Sequence, residues 1–246
     1  MDTDQGGTAA VPRVLRGTAA VVFDTDGVIT DSARVHAAAW KTAFDAFPLL
    51  RGRHPFDVQD DYLRYVDGKS RLDGARAYLE SQGLSPSRAE VRTVAADKER
   101  LFTDRLREHG IDAYPGTVRL LGVLRSAGLA TAAVSASRHA RELLEHAKVR
   151  ALFDVLVDGS EAARLQLAGK PDPALFLEAA RRLGTPAARA AVVEDALAGV
   201  EAGRRGGFGA VIGVDRTRTS ATRAALLKHG ADLVVEDLAE LLDSED

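Results

Sequence analysis

Two aspartates stand two positions apart in Phe23-Asp24-Thr25-Asp26-Gly27-Val28, directly after the apolar run Thr18–Phe23. A short, almost continuous apolar run suits a strand buried on both faces of a parallel sheet. In open α/β sheets, ligands collect beyond the carboxyl ends of the strands, which is where Asp24 and Asp26 fall. On a still-extended backbone they face the same side, and Gly27 permits a sharp turn beside them. A second acidic pair, Glu194-Asp195, follows the apolar run Ala190–Val193. Taken singly, Asp-Gly is more often a turn and Glu-Asp a helix cap. Both pairs at equivalent ends of parallel strands would meet at one sheet edge. Carboxylates crowded there call for a hard divalent cation such as Mg2+, which prefers oxygen ligands.

Two polar segments lie between the acidic pairs. Ser135-Ala136-Ser137 follows the run Leu129–Val134. Its hydroxyl, with the N–H groups opening the next helix, can hold a phosphate, although alone the motif reads as an N-cap. Gly169-Lys170-Pro171-Asp172-Pro173 fixes one lysine in a turn-rich loop. In isolation Lys170 is as readily a free surface lysine. Its position between the Ser and Glu-Asp motifs favours a cation that neutralises both Asp24 and a phosphate. These segments fit one chemistry. An ionised Asp24 attacks phosphorus to form an aspartyl-phosphate, while metal and lysine offset the charge repulsion. Asp26 serves as acid to the leaving oxygen and base to the next nucleophile.

The elements that must position these groups follow from periodicity. Further apolar runs at Val155–Val157, Phe208–Val214 and Asp232–Val235 alternate with helical patterns at Val118–Ser126, Ala140–Ala147, Ala174–Leu183, Gly199–Arg204, Ala221–Lys228 and Leu238–Leu242. This alternation predicts a doubly wound α/β domain with a mainly parallel sheet. Ser32–Phe47, Ser70–Gln82 and Arg88–Glu108 read as helices with no strand between them, with Ser70 and Ser85-Pro86 as start signals. The expected organisation is a mobile tail over 1–16, an α/β core over 17–31 and 111–246, and an inserted helical cap over 32–110. The polar stretch Pro48–Asp61 receives no element.

Composition narrows the class. The 246 residues carry a net charge of −3 with 33 basic and 36 acidic side chains, which predicts no nucleic-acid partner. There is no cysteine, which excludes disulfides, thiolate catalysis and Cys-ligated zinc. No apolar run approaches membrane-helix length, and the N-terminus lacks the apolar core of a secretory signal. The expectation is a cytoplasmic monomer acting on a small molecule, with no membrane partner.

The ordered set DxDGV, Ser135, Lys170 and Glu194-Asp195 resembles the haloacid dehalogenase (HAD) superfamily, over about Ala19 to Leu242. The resemblance implies an HAD-like Rossmannoid core. It makes Asp24 the nucleophile and Asp26 the acid/base, with Ser135 and Lys170 at the phosphate. Asp24, Asp26 (through its backbone carbonyl), Glu194 and Asp195 would hold Mg2+. A closer likeness is to the β-phosphoglucomutase subfamily, carried by Asp24–Trp40, DTDGVITDSARVHAAAW. It implies that His36 helps order Asp26, that Trp40 matches a cap tryptophan, and that Thr30 and Ser32 sit at cap hinges. In Val66-Asp67-Gly68-Lys69-Ser70-Arg71 it implies that Arg71 grips the phosphate not being transferred. Lys98 matches a ligand-contacting cap lysine, and Ser137, Arg138 and His139 would complete that distal phosphate pocket. Three features depart from the subfamily. Thr25 replaces an apolar residue, its side chain expected to point away from the site. Arg138 and His139 stand where Lys and Asn are usual. A longer segment between Trp40 and Gly68 is expected at the cap's entrance.

The resemblance implies a mutase interconverting β-glucose 1-phosphate and glucose 6-phosphate through a bisphosphate. A sugar-phosphate phosphatase on the same scaffold is the alternative, since one scaffold hosts many substrates. A non-catalytic sugar-phosphate-binding protein is the third reading, against which stands the intact set of acidic and basic residues.

Overall fold

The computed structural model describes residues 11–243. Its centre is a six-stranded, all-parallel sheet in the order β3-β2-β1-β4-β5-β6. The strands are β1 (Ala20–Asp24), β2 (Ala130–Val134), β3 (Val155–Val157), β4 (Ala190–Glu194), β5 (Ala210–Val214) and β6 (Leu233–Val235). Every residue of β1, β4 and β5 is buried, as a sheet covered on both faces requires. Alternation divides the strand side chains. Val21, Phe23, Val193 and Ile212 face one layer with Leu120, Leu124, Leu144 and Leu241. Ala20, Val22, Val192 and Val211 face the other with Leu175, Phe176, Val200 and Leu226.

The covering helices begin with α1 (Ser32–Asp45), α2 (Arg71–Ser81) and α3 (Arg88–His109), which lie outside the sheet layers. The layers themselves comprise α4 (Pro115–Ser126), α5 (Ala140–His146), α6 (Gly159–Leu165), α7 (Ala174–Arg182), α8 (Leu197–Arg205), α9 (Ser220–His229) and α10 (Glu240–Asp243). The chain steps from β1 outward through β2 to β3, then returns to the other side of β1 with β4. The carboxyl ends of β1 and β4 thus meet at the topological switch point of the sheet. Register fixes the consequence: Phe23 pairs with Val193, and Asp24 with Val134. Asp24, Glu194 and the residues after Val134 therefore share one edge.

Helices α1 to α3 have a core of their own. Trp40, Phe44, Phe56 and Tyr78 pack together, with ring centroids 4.8 Å apart for Trp40–Phe44 and 4.2 Å for Phe44–Tyr78. Such aromatic packing lets a small module bury a large area. α2 starts at Ser70, whose hydroxyl accepts the Asp73 N–H. α3 starts at Ser87, which forms a capping box with Glu90, two residues beyond the Ser85-Pro86 signal.

The structure differs from the sequence reading at several points. The expected 1–16 tail lies in part outside the described residues, and Leu15 is fully buried in the sheet core, so the chain joins the core before residue 17. The stretch 48–61 contains a 3-10 turn at Pro48–Leu50. It buries Phe56, whose N–H donates to Asp45 Oδ1 at 2.8 Å and whose carbonyl accepts from Lys41 Nζ at 2.9 Å. None of its residues lines the main cavity, although Tyr62, Val66 and Asp67 of the longer segment between Trp40 and Gly68 do. A π-helical turn at Tyr62–Val66 and helix α6 had no periodic signal strong enough to read.

Candidate active site

Between the sheet edge and the cap lies a cavity of about 270 Å3, lined from the core by Asp24, Asp26, Ser137, Arg138, Lys170 and Asp195, and from the cap by His36, Trp40, Asp67, Arg71, Lys98 and Glu99. The cap rests directly on the core: a methyl group on Gly68 would come within 2.9 Å of the Ala196 side chain. With φ at +67° as well, that position calls for glycine on both counts.

The floor of the cavity is a buried ion cluster. Lys170 Nζ donates to Asp24 Oδ1 and lies 2.6 Å from Glu194 Oε1. Glu194 is fully buried, its second oxygen accepting the N–H groups of Asp195 (2.6 Å) and Ala196 (3.0 Å). Burial alone would push the Lys170 ammonium down. Asp24, Glu194 and their hydrogen bonds more than reverse this and hold it above its ordinary value. Burial pushes the Asp24 carboxyl well up, opposed by Lys170 and reinforced by Glu194 and Asp26. Asp195 is likewise raised, by burial and then by Asp67, Glu194 and Asp24.

Asp24, Glu194 and Asp195 offer carboxylate oxygens all within 4.8 Å of one another. An all-oxygen set of crowded, desolvated carboxylates fits a hard divalent cation, which would relieve the repulsion that raises Asp24 and Asp195. Gly27 makes room for the cluster. Its φ is +80°, and a Cβ there would fall 1.7 Å from Asp195 Oδ2.

The Asp26 carboxylate is committed to the hinge, whereas the metal role expected of this residue runs through its backbone carbonyl. Its carboxylate stands outside that cluster. One oxygen accepts from the Ser32 hydroxyl and lies 3.2 Å from His36 Nε2, and the other accepts from Ser135 Oγ at 3.2 Å. The physical reason is the hinge. The chain after Gly27 folds back so that Gly27 N–H donates to the Thr30 carbonyl at 2.9 Å. Thr30 Oγ1 bonds Ser32 at 3.0 Å. Burial would raise the Asp26 carboxyl, but the His36 ring and the Ser32 hydroxyl hold it well below the usual range. Ser135 is thereby bound to Asp26 on one side, while its oxygen accepts the Ser137 N–H at 3.0 Å.

A line of cap groups stands behind Asp26. Lys98 Nζ is 2.6 Å from His36 Nδ1. An ammonium can only donate, so Nδ1 is the acceptor and the proton sits on Nε2, which lies 3.2 Å from Asp26 Oδ1 without a formed hydrogen bond. The His36 ring stacks on Phe102 with centroids 4.0 Å apart, and Lys98 lies over the same ring at 4.6 Å. Burial, then Lys98, lower the His36 pKa. Burial lowers Lys98 to about 8. Lys98 is buried and paired with His36. Trp40 lines the cavity but is mostly buried in the cap core.

The distal end differs from the sequence reading at His139. That residue does not line the cavity. Its ring bonds Glu99 and lies 3.2 Å from Glu142, because it sits at the N-cap of α5 directly beneath α3. Arg71 lines the cavity and pairs with Glu99 at 2.5 Å. Arg138 is exposed at the cavity wall, and Ser137 accepts the His139 N–H at 3.2 Å. Thr25 is buried, its hydroxyl donating to the Val134 carbonyl at 3.0 Å, away from the cavity as expected.

Two residues escaped sequence reasoning. Asp67, in the cap loop, hydrogen-bonds Tyr62 and faces Glu194 and Asp195. Burial and then Glu194 push its carboxyl up to about 7. Glu99 adjoins Lys98 and meets Arg71 and His139. Both lie inside or beside recognised motifs, yet a lone acidic residue in a helix or turn has no spacing signal.

Residues 18–207 match the haloacid dehalogenase-like hydrolase family, and the chain belongs to it. It is an enzyme of the β-phosphoglucomutase-like branch of that family. Over 238 residues it is 42% identical to a β-phosphoglucomutase of Mycobacterium tuberculosis, covering 91% of each chain. A β-phosphoglucomutase of Bacillus subtilis is 32% identical over 90% of this chain and 94% of its own. The crystal structure of a β-phosphoglucomutase from Clostridium difficile superposes with a TM-score of 0.73 at 27% identity, covering 91% of this chain and 93% of that one. Among the described residues, no helix is long and apolar enough to cross a membrane.

Proposed function

We propose that the chain is a Mg2+-dependent β-phosphoglucomutase, interconverting β-glucose 1-phosphate and glucose 6-phosphate through phospho-Asp24. The observation that carries this reading is the pairing of two carboxylates with opposite commitments. Asp24 is gripped by Lys170 on the sheet floor, and Asp26 is held by the hinge and by His36. This contrast supports Asp24 as the nucleophile and Asp26 as the proton carrier. Bound among Asp24, Glu194 and Asp195, Mg2+ would offset charge on the transferring phosphate.

Phospho-Asp24 passes its phosphate to the sugar 6-hydroxyl, whose proton goes to Asp26. The resulting bisphosphate turns over in the cavity. Asp24 then takes the phosphate from C1, and Asp26 returns the proton to the departing oxygen. Arg71 in the cap supports a second phosphate site, which a mutase needs and simple hydrolysis does not. The close fit of Gly68 on Ala196 supports a closed reaction space that keeps water from the acyl phosphate. The protein is proposed to work as a cytoplasmic monomer.

The test supplies β-glucose 1-phosphate, Mg2+ and a trace of glucose 1,6-bisphosphate. Glucose 6-phosphate without inorganic phosphate is the expected product. Stoichiometric inorganic phosphate would make the enzyme a sugar-phosphate phosphatase, and no turnover with retained binding would favour a binding protein.

A further inference from the structure

Glu99 occupies the place where a ligand anion would be expected. On α3 it adjoins Lys98, but while Lys98 turns inward to His36, Glu99 meets two of the groups expected to bind the distal phosphate. One carboxylate oxygen lies 2.5 Å from Arg71 Nη1, and the other accepts from His139 Nε2. Arg71 and Glu99 belong to the cap and His139 to the core, so the carboxylate ties the two together without any substrate. Burial would raise the Glu99 carboxyl, but His139 and Arg71 hold it down to about 2. His139 is raised in turn, first by its bond to Glu99.

The guanidinium is only half used. Arg71 Nε is buried and has no hydrogen-bond partner. Arginine binds phosphate best through two parallel N–H donors, and Glu99 takes a single one, on Nη1. A dianionic phosphate reaching the unpaired Nε edge would compete with the carboxylate for the same guanidinium charge. Glu99 has somewhere to go. It and Arg71 also line a second, open groove of about 450 Å3, whose walls include Arg100, Thr103 and Arg107. The ion pair thus stands between the reaction cavity and an exterior groove lined by arginines and by Asp104, which pairs with Arg100.

We propose that Glu99 is a placeholder counter-ion, held between Arg71 and His139 whenever the distal phosphate is absent and yielding Arg71 when it arrives. The inference rests on the mutase reading and deepens it. In each cycle a bisphosphate must release one phosphate from Arg71 and present the other. The Arg71 side chain is 32% exposed, and Glu99 keeps this partly buried cation paired during that exchange. The same competition weakens the resting grip on sugar phosphates, so affinity is exchanged for turnover. Glu99 is a positioning residue here, acting through Arg71 rather than on the reacting atoms.

Isothermal titration of the full chain with glucose 6-phosphate and Mg2+ tests this by sign. Glu99→Gln keeps the shape and removes the charge, and should bind about fivefold tighter than the native protein, with a lower mutase kcat. Glu99→Asp, too short to span Arg71 and His139 together, should also bind tighter. In an Arg71→Ala background, Glu99→Gln should no longer change the affinity. Unchanged or weaker binding by Glu99→Gln, or an undiminished effect without Arg71, would overturn the placeholder while leaving the sugar-phosphate reading intact. A native protein that binds no sugar phosphate would refute that reading, and this inference with it.

Discussion

Replacing Lys170 by methionine removes the single cation shared by Asp24 and Glu194. The lysine side chain is 1% exposed, that of Asp24 8% and that of Glu194 0%, so water cannot take over its role. Removing one partner of a buried ionic group costs about 3–5 kcal/mol, because the remaining charge is left uncompensated. The loss should depend on pH in a defined direction. Both influences that lower the Asp24 carboxyl come from Lys170, its charge and its hydrogen bond, while burial, Glu194 and Asp26 all raise it. Without the lysine, Asp24 rises further above its unfolded value. A carboxyl raised on folding contributes stability below its unfolded pKa and loses that contribution as pH climbs through the folded value. The deficit of Lys170→Met relative to the native protein should therefore grow as pH rises. A divalent cation should recover more stability in the variant than in the native protein, since it would replace the missing positive charge. Urea unfolding at several pH values, with Mg2+ or with EDTA, measures each of these quantities. A pH-independent deficit, or equal Mg2+ stabilisation in both proteins, would refute the argument that one cation balances both carboxylates. Turnover should fall at least about 100-fold, as when a positioned electrostatic group is lost.

Other outcomes follow from the same geometry. Burial lowers Lys98 to about 8, so kcat should decline as pH rises through that value and the ammonium behind His36 is lost; Lys98→Arg, which stays charged, should move that limb to higher pH, and an unmoved limb would assign it elsewhere. Gly27→Ala places a Cβ 1.7 Å from Asp195 Oδ2 at a positive φ and should cost about 1–3 kcal/mol in stability, together with about 100-fold in kcat; near-native activity would show that Asp195 can move freely. Arg71→Ala should raise KM for β-glucose 1-phosphate about tenfold or more while affecting acetyl phosphate hydrolysis less, and equal losses on both would reduce Arg71 to a structural role. Asp24→Ala should abolish steady-state turnover, so measurable activity would exclude an aspartyl-phosphate.

The strands were legible because burial on both faces leaves a direct mark on composition. Val155–Val157 matches β3 end to end, and Ala190–Val193 extends by one residue into Glu194. The acidic pairs were legible for a related reason: residues that follow a buried strand must lie at its carboxyl edge, and parallel strands share that edge. Helix α3 was readable in extent, but its first residue was set by the Ser87–Glu90 capping box rather than by the proline. Helix α6 and the turn at Tyr62–Val66 are too short to show a period.

Side-chain partnerships were decided by the tertiary structure alone. Lys170 and Asp24 are 146 residues apart, Lys98 and His36 62, and His139 and Glu99 40. No local spacing rule reaches across such distances. The folded hinge gave the Asp26 carboxylate its partners Ser32, His36 and Ser135. Sequence placed His139 in the phosphate pocket, whereas the approach of α3 gave its ring to Glu99. Backbone periodicity and chain order thus determined which residues come to the sheet edge. The packing of the cap against that edge determined which of them touch, because hydrogen bonds and ion pairs depend on ångström-scale distances that only the assembled fold defines.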